Sequence, residues 1–196
     1  MPIQSRNFGP VLFLLEIGLQ CHLFNRSIKR LDQAADHWIK LDKGIDDGGT
    51  APPLEIVADC TVCLSAMAAV RRILRPAKSA SDRAKHRSEV LLKLLGNPEL
   101  PNVTSVKVRN SWEHLDERLD EILSARTEGP VSELHVSPSA PRAGIIVMRR
   151  FDPVAFTIHF AKDSIPIRPC AVEIAELTKR MNQAYKRLQT DIFTLG

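Results

Sequence analysis

The sequence predicts a mainly α fold with a small β part: an up-and-down bundle of about four helices, a short antiparallel β-meander and a C-terminal helix. Three observations predict it. Apolar residues recur at three-to-four spacing through the first two thirds of the chain, the period of helices buried on one face. Glycine and proline at Gly44, Pro52-Pro53, Pro76 and Gly96-Asn97-Pro98 cut that run into segments of helical length. From Val131 the helical period gives way to short β-like runs, and it returns only near the C-terminus.

Each element follows from its own residues. Over 10–43, Leu12, Leu15, Leu19, Leu23, Leu31, Ala35 and Trp38 hold the helical spacing opposite a polar face bearing Arg26, Lys29, Arg30 and His37. Gly44 and the loop Asp46-Asp47-Gly48-Gly49 end it. The second helix, 54–75, is almost continuously apolar from Ile56 to Val70, which places it centrally, and Pro76 stops it. A third runs from Ser81 or Asp82 to Leu95 and ends at Gly96, a C-cap glycine followed by Pro98. A fourth ends near Arg126, before Gly129-Pro130. Thr104 or Ser105 can cap its start, and Asn110 with Glu113 also forms a capping-box pattern. Strand-like runs follow at 144–150, 154–160 and 164–168, with turns at Asp152-Pro153 and Lys162-Asp163. Alternation in Phe156-Thr157-Ile158-His159-Phe160 reads as a half-buried antiparallel strand with His159 exposed. The last helix, 171–190, carries Val172, Ile174, Leu177, Met181, Ala184 and Leu188. These readings divide the chain into a helical bundle at 1–128 and a β-meander plus closing helix at 129–196, packed on the bundle and not independent of it.

Composition bounds the function. A chain of 196 residues, 44% hydrophobic and 26% charged, is that of a globular protein able to bury a core. A net charge of +4 and a pI near 9.0 permit contact with nucleic acid without demanding it. The apolar run Val11-Leu12-Phe13-Leu14-Leu15 is broken by Glu16 and offers neither a membrane span nor a signal-peptide cleavage site. The expectation is a cytoplasmic protein with no membrane partner. The four cysteines, Cys21, Cys60, Cys63 and Cys170, sit in apolar surroundings and are too few for a disulfide scaffold.

One segment points to chemistry. Arg109-Asn110-Ser111-Trp112-Glu113-His114 sets a permanent cation, an amide, a carboxylate and an imidazole within six residues. At about 100° per residue, Val108, Trp112, Leu115, Leu119, Ile122 and Leu123 fall on one apolar arc, with Arg109, Asn110, Glu113, His114 and Glu117 on the other side. Arg109 with Glu113 and Asn110 with His114 are i,i+4 neighbours.

This segment resembles the Arg-polar-x3-His motif of the HEPN-domain family, and the helical region 10–126 is similar to that family's bundle. The resemblance implies metal-independent RNA cleavage, as in toxin and defence systems, by a homodimer that joins two motifs in one cleft, with RNA as substrate and a cognate inhibitor protein as partner. It implies that Arg109, Asn110, Glu113 and His114 are the catalytic residues, with no metal and no cofactor. His114 would move the proton to or from the leaving oxygen. Arg109 would hold the phosphate, Asn110 would orient the phosphate or His114, and Glu113 would orient Arg109. The β-rich part after Val131 departs from the family pattern, and Arg30 with His37 falls by coincidence within the interval of four to six intervening residues that the family's motif allows.

The remaining candidates are plainer. The basic run Arg71, Arg72, Arg75 and Lys78, followed by Arg83, Lys85 and Arg87, marks a helix-loop-helix corner suited to RNA phosphates, or simply a solvated turn. Cys60-Thr61-Val62-Cys63 has C-x-x-C spacing but lies in the most apolar helix with no second ligand pair, so small core residues are the expectation. Glu55 and Asp59 suit the N-terminal dipole of that helix. No glycine-rich phosphate loop or Gly-x-Ser-x-Gly elbow occurs. The competing readings are a non-catalytic helical module that binds a partner protein or nucleic acid, and a helix whose charges form only a surface ladder.

Overall fold

Helix α1 (Phe8–Asp42) forms where predicted but carries two apolar stripes. Over its first half it buries Leu14, Ile17, Cys21 and Phe24, whereas Leu12, Leu15 and Leu19 of the predicted core face are exposed; Leu31 and Ala35 are buried as predicted. Gly44 ends it in a left-handed conformation at φ 74°, which a glycine adopts without a Cβ penalty. Helix α2 (Pro53–Leu74) begins with a proline in its first turn, where no amide hydrogen is needed, and ends with Arg71 and Arg72 against its negative terminus. Helix α3 (Asp82–Leu94) is capped by the Ser81 hydroxyl, which accepts from the Ala84 amide at 3.4 Å. Four strands follow, β1 (Val131–Val136), β2 (Ile146–Asp152), β3 (Thr157–Phe160) and β4 (Asp163–Pro166), and then helix α4 (Ile167–Thr194). The computed structural model describes residues 8–105, 117, 120, 121, 124, 131–137, 145–160 and 163–194. It is mainly helical with one small sheet, as the sequence predicts.

The sheet has the order β1-β2-β3-β4. β2, β3 and β4 form the antiparallel meander. The sheet as a whole is mixed, because β1 pairs in parallel with β2, with Val131 opposite Ile146 and Val136 opposite Phe151. The sequence runs did not mark β1 as a strand. β3 is shorter than the run at 154–160, because the Asp152 carboxylate accepts from the Val154 and Ala155 amides at 3.0 and 2.8 Å and holds those residues in a turn. α4 starts earlier than its apolar period shows, since Pro169 in its first turn needs no amide partner.

The chain divides into two compact units, each drawn from separate stretches of sequence. The first comprises Met1–Asn25, Ala66–Thr104 and Cys170–Gly196. Its core joins Leu14, Ile17 and Phe24 to Met67, Val70 and Leu74, to Leu91 and Leu95, and to Ile174, Leu177 and Met181. Gly18 lets α4 approach α1: a Cβ there would lie 3.1 Å from Met181 Cε. The Glu173 carboxylate accepts from the Asn102 and Val103 amides and fastens the segment after α3 to α4.

The second unit comprises Arg26–Ser65 and Ser105–Pro169. Its core contains Leu31, Ile56, Cys60, Cys63 and Leu64 with Phe151, Phe156, Ile158 and Phe160. Phe156 has a positive φ of 50°, an unfavourable conformation for a large residue. Its surroundings hold it there: its ring packs edge-on to Phe151 with centroids 5.4 Å apart, Arg168 lies 4.3 Å over it, and its carbonyl accepts from the Ile167 amide.

Among the described residues one helix, α2, is long and apolar enough to cross a membrane. Half of its most apolar stretch is buried inside the fold, the pattern of a core helix.

Candidate functional site

The basic corner lies in the first unit, where α2 ends and α3 begins. Arg72, Arg75 and Lys78 are exposed and Arg71 is half-buried. The Arg72 carbonyl accepts from Arg87 Nη2 at 3.5 Å, and the Ser88 hydroxyl donates to the Leu74 carbonyl at 2.6 Å, so α3 secures the C-terminal turn of α2. Arg87 does not belong to the exposed cluster. Its guanidinium lies 4.6 Å over the Phe13 ring and packs as a cation on an aromatic face. Lys85 reaches the Asp82 carboxylate at 3.6 Å. What remains presented to solvent is Arg72, Arg75, Lys78 and Arg83, a surface suited to phosphate oxygens.

A second cluster lies on the sheet and is invisible in the sequence. The strand register sets His135, Arg150, His159 and Ser164 side by side, one residue from each strand. The neighbouring row, Val136, Phe151, Ile158 and Ile165, points to the other face and is buried. Arg150 Nη2 lies 2.9 Å from His159 Nε2. A guanidinium can only donate, so Nε2 accepts and the imidazole proton sits on Nδ1. Burial, and then the adjacent Arg150 charge, push the His159 pKa below its ordinary value. Arg150 Nη1 also donates to the Ser137 carbonyl at 3.3 Å and lies 3.7 Å from Asp152 Oδ2. His159 is therefore half-buried and neutral where the sequence alternation predicts exposure. With Nε2 already bonded, it takes a proton only by giving up Arg150. The row ties strands together more readily than it does acid–base work.

Other candidates resolve into packing. Arg30 Nε donates to both Asp59 carboxylate oxygens at 2.9 Å, and Nη2 also bonds Oδ1. The Asp59 carboxylate thus serves a cation on α1 in addition to sitting near the start of α2. His37 Nδ1 lies 2.6 Å from Asp47 Oδ1, and Lys40 Nζ lies 3.0 Å from Asp47 Oδ2. Arg30 and His37 therefore each have separate partners, and their spacing carries no shared chemistry. Cys60 and Cys63 are buried free thiols, and burial raises the Cys60 pKa well above its ordinary value. Burial likewise pushes Cys170 up to about 12. Among the described residues no group of three His, Cys, Asp or Glu side chains could hold a metal ion.

Arg109, Asn110, Glu113 and His114 lie outside the described residues. Downstream of them, Glu117, Asp120, Glu121 and Ser124 are helical and exposed, at the three-and-four spacing of one helix face. No family model, no curated protein and no solved structure matches the chain.

Proposed function

We propose that the protein is a HEPN-like endoribonuclease that works as a homodimer and cleaves RNA without a metal. The observation that carries this reading is the Arg109-Asn110 to Glu113-His114 segment, within a sequence whose helical period assigns it to a polar face. The exposed face at Glu117, Asp120, Glu121 and Ser124 supports that assignment for the residues that follow. The corner at Arg72, Arg75 and Lys78, with half-buried Arg71 beside it, supplies the electrostatic attraction an RNA ligand requires.

The chemistry is self-sufficient. RNA brings its own nucleophile, the 2′-OH beside each phosphodiester. His114 transfers the proton, Arg109 grips the phosphate through two hydrogen bonds and offsets the charge that builds on it, and Asn110 and Glu113 orient these two groups. One imidazole per chain serves one end of the proton transfer, so two copies sharing a cleft complete it. Such a protein acts in the cytoplasm, where its four buried thiols stay reduced, and a cognate inhibitor protein would hold it in check.

The test is RNA cleavage in the presence of a chelator. Wild-type protein should cleave, and Arg109→Ala or His114→Ala should lose at least about a hundredfold of rate with an unchanged circular dichroism spectrum. A homogeneous wild-type dimer that leaves a broad RNA panel intact would sink the proposal.

A second reading, a non-catalytic interaction module, has one observation in its favour. Leu12, Leu15 and Leu19 on α1 are 55%, 49% and 50% exposed, and leucines so exposed along one helix face are of the kind that meets a partner. Inert protein that still binds RNA or a partner chain would favour it.

A further inference from the structure

Helix α4 carries Lys179, Gln183 and Arg187 at i, i+4 and i+8, so the three side chains rise from one ridge. The ridge faces the end of α3. There Gly96 adopts φ 69° and Asn97 φ 49°, and the Asn97 amide donates back to the Leu92 carbonyl at 2.7 Å, which closes the helix. The Leu95 and Gly96 carbonyls are taken by Arg180 Nη1 at 3.2 and 2.9 Å. Glycine is needed here for a second reason, because a Cβ at residue 96 would lie 3.2 Å from that nitrogen. Arg180 Nε also meets Glu176 Oε1 at 2.7 Å.

Beside this clasp is a cleft of about 270 Å³, floored by Leu95 and Gly96 and rimmed by Lys179, Gln183 and Arg187. The electrostatics follow from who is already paired. The negative end of α3 would repel an anion, but Arg180 occupies it, and Glu176 is engaged by that same arginine. Lys179 and Arg187 are exposed and leave the cleft with an excess of positive charge. The volume lies just under the range of small-molecule sites, enough for a phosphate group with a sugar-sized extension.

We propose that this cleft between the end of α3 and α4 is a phosphate-ester binding site. Arg187 grips two phosphate oxygens with its planar fork, Lys179 adds a mobile point charge, and the Gln183 amide donates between them. The proposal draws on none of Arg109, Asn110, Glu113 and His114 and does not rest on the cleavage reading. The ester is either a small nucleotide or the backbone of a polynucleotide, which offer the same phosphate chemistry.

Calorimetric titration with pyrophosphate, with 5′-AMP and with a short oligonucleotide tests the proposal. Wild-type protein should bind saturably, and Lys179→Gln with Arg187→Gln should weaken binding about tenfold or more with the fold unchanged. A control that removes the same charge elsewhere, Arg26→Gln with Lys29→Gln, should keep the wild-type affinity. Tighter binding of the oligonucleotide than of 5′-AMP assigns the site to a backbone, and equal affinity assigns it to a small nucleotide; either supports the site. Absence of saturation by about 10 mM of all three ligands, or an equal loss in the control, would overturn it. Lys179 and Arg187 are not among the residues proposed for cleavage, so 5′-AMP binding lost in Lys179→Gln with Arg187→Gln, scored beside RNA cleavage by the same protein, lets this site and the proposed nuclease fail independently.

Discussion

Asp59 is the residue at which burial and charge conflict most directly. It is 6% exposed, and a carboxylate so placed keeps its charge only with a partner. Arg30 is that partner, and its own side chain is 46% exposed. The two deletions should therefore differ. Arg30→Ala leaves a buried carboxylate without its cation and should destabilise the fold by about 1–3 kcal/mol. Asp59→Ala leaves a guanidinium that can turn to solvent, and should cost less. Urea denaturation of both single variants and the double variant checks this, and equal losses in the two single variants would show that the pair's burial is not the deciding term. The sequence reading assigned Asp59 to the dipole at the start of α2. The missing information was which cation on another helix would reach it, twenty-nine residues away, and local spacing does not carry that.

The loop between α1 and α2 shows the same physics at the level of an element. Asp47 joins His37 and Lys40 at the end of α1 to the loop, and its carboxylate also accepts from the Gly49 amide at 3.0 Å. The His37 hydrogen bond first, then those of Lys40 and Gly49, hold the Asp47 pKa well below the ordinary carboxylate range. A carboxyl group that resists its proton in the folded chain is protonated first in the unfolded one. The contribution of this tie is therefore full above the ordinary aspartate value of about 3.9 and is lost as pH falls below it. Amide exchange in residues 43–52 should accelerate as pH drops from about 5 to 3 once the intrinsic exchange rate is divided out. Asp47→Asn should show fast exchange at both ends of that range, and a flat wild-type profile would contradict the linkage. Element boundaries were legible wherever a residue type enforces them. Gly44, Pro76, Ser81 and Gly96 each mark a real helix terminus: the two glycines take positive φ, the proline cannot continue a helix, and the serine supplies the capping hydroxyl. β1 was not legible, since Val131-Ser132-Glu133-Leu134-His135-Val136 lacks strict apolar alternation and a parallel edge strand is defined by its pairing with β2.

For the whole molecule, the apolar period was enough to read a mainly helical protein with a small sheet, but not the way its residues gather into units. The His135, Arg150, His159 and Ser164 row shows why. Four residues from four strands share a line only through register, which depends on long-range pairing and cannot be read from any one segment. The division into units is of the same kind. α1 and α2 are unbroken helices, yet Asn25 and Arg26 on α1, and Ser65 and Ala66 on α2, fall in different units. Each helix is unbroken through these positions. Melting either unit therefore removes helical turns from the other, since a helix end costs its unpaired backbone groups wherever it is made. The expected outcome is one cooperative transition. Tyr185, in the first unit, and Trp38, in the second, allow this to be read separately once Trp112 is replaced by Phe. Their fluorescence midpoints in urea should coincide with each other and with the far-ultraviolet circular dichroism signal. A Trp38 midpoint displaced from that of Tyr185 would show that the units unfold as separate bodies despite the shared helices.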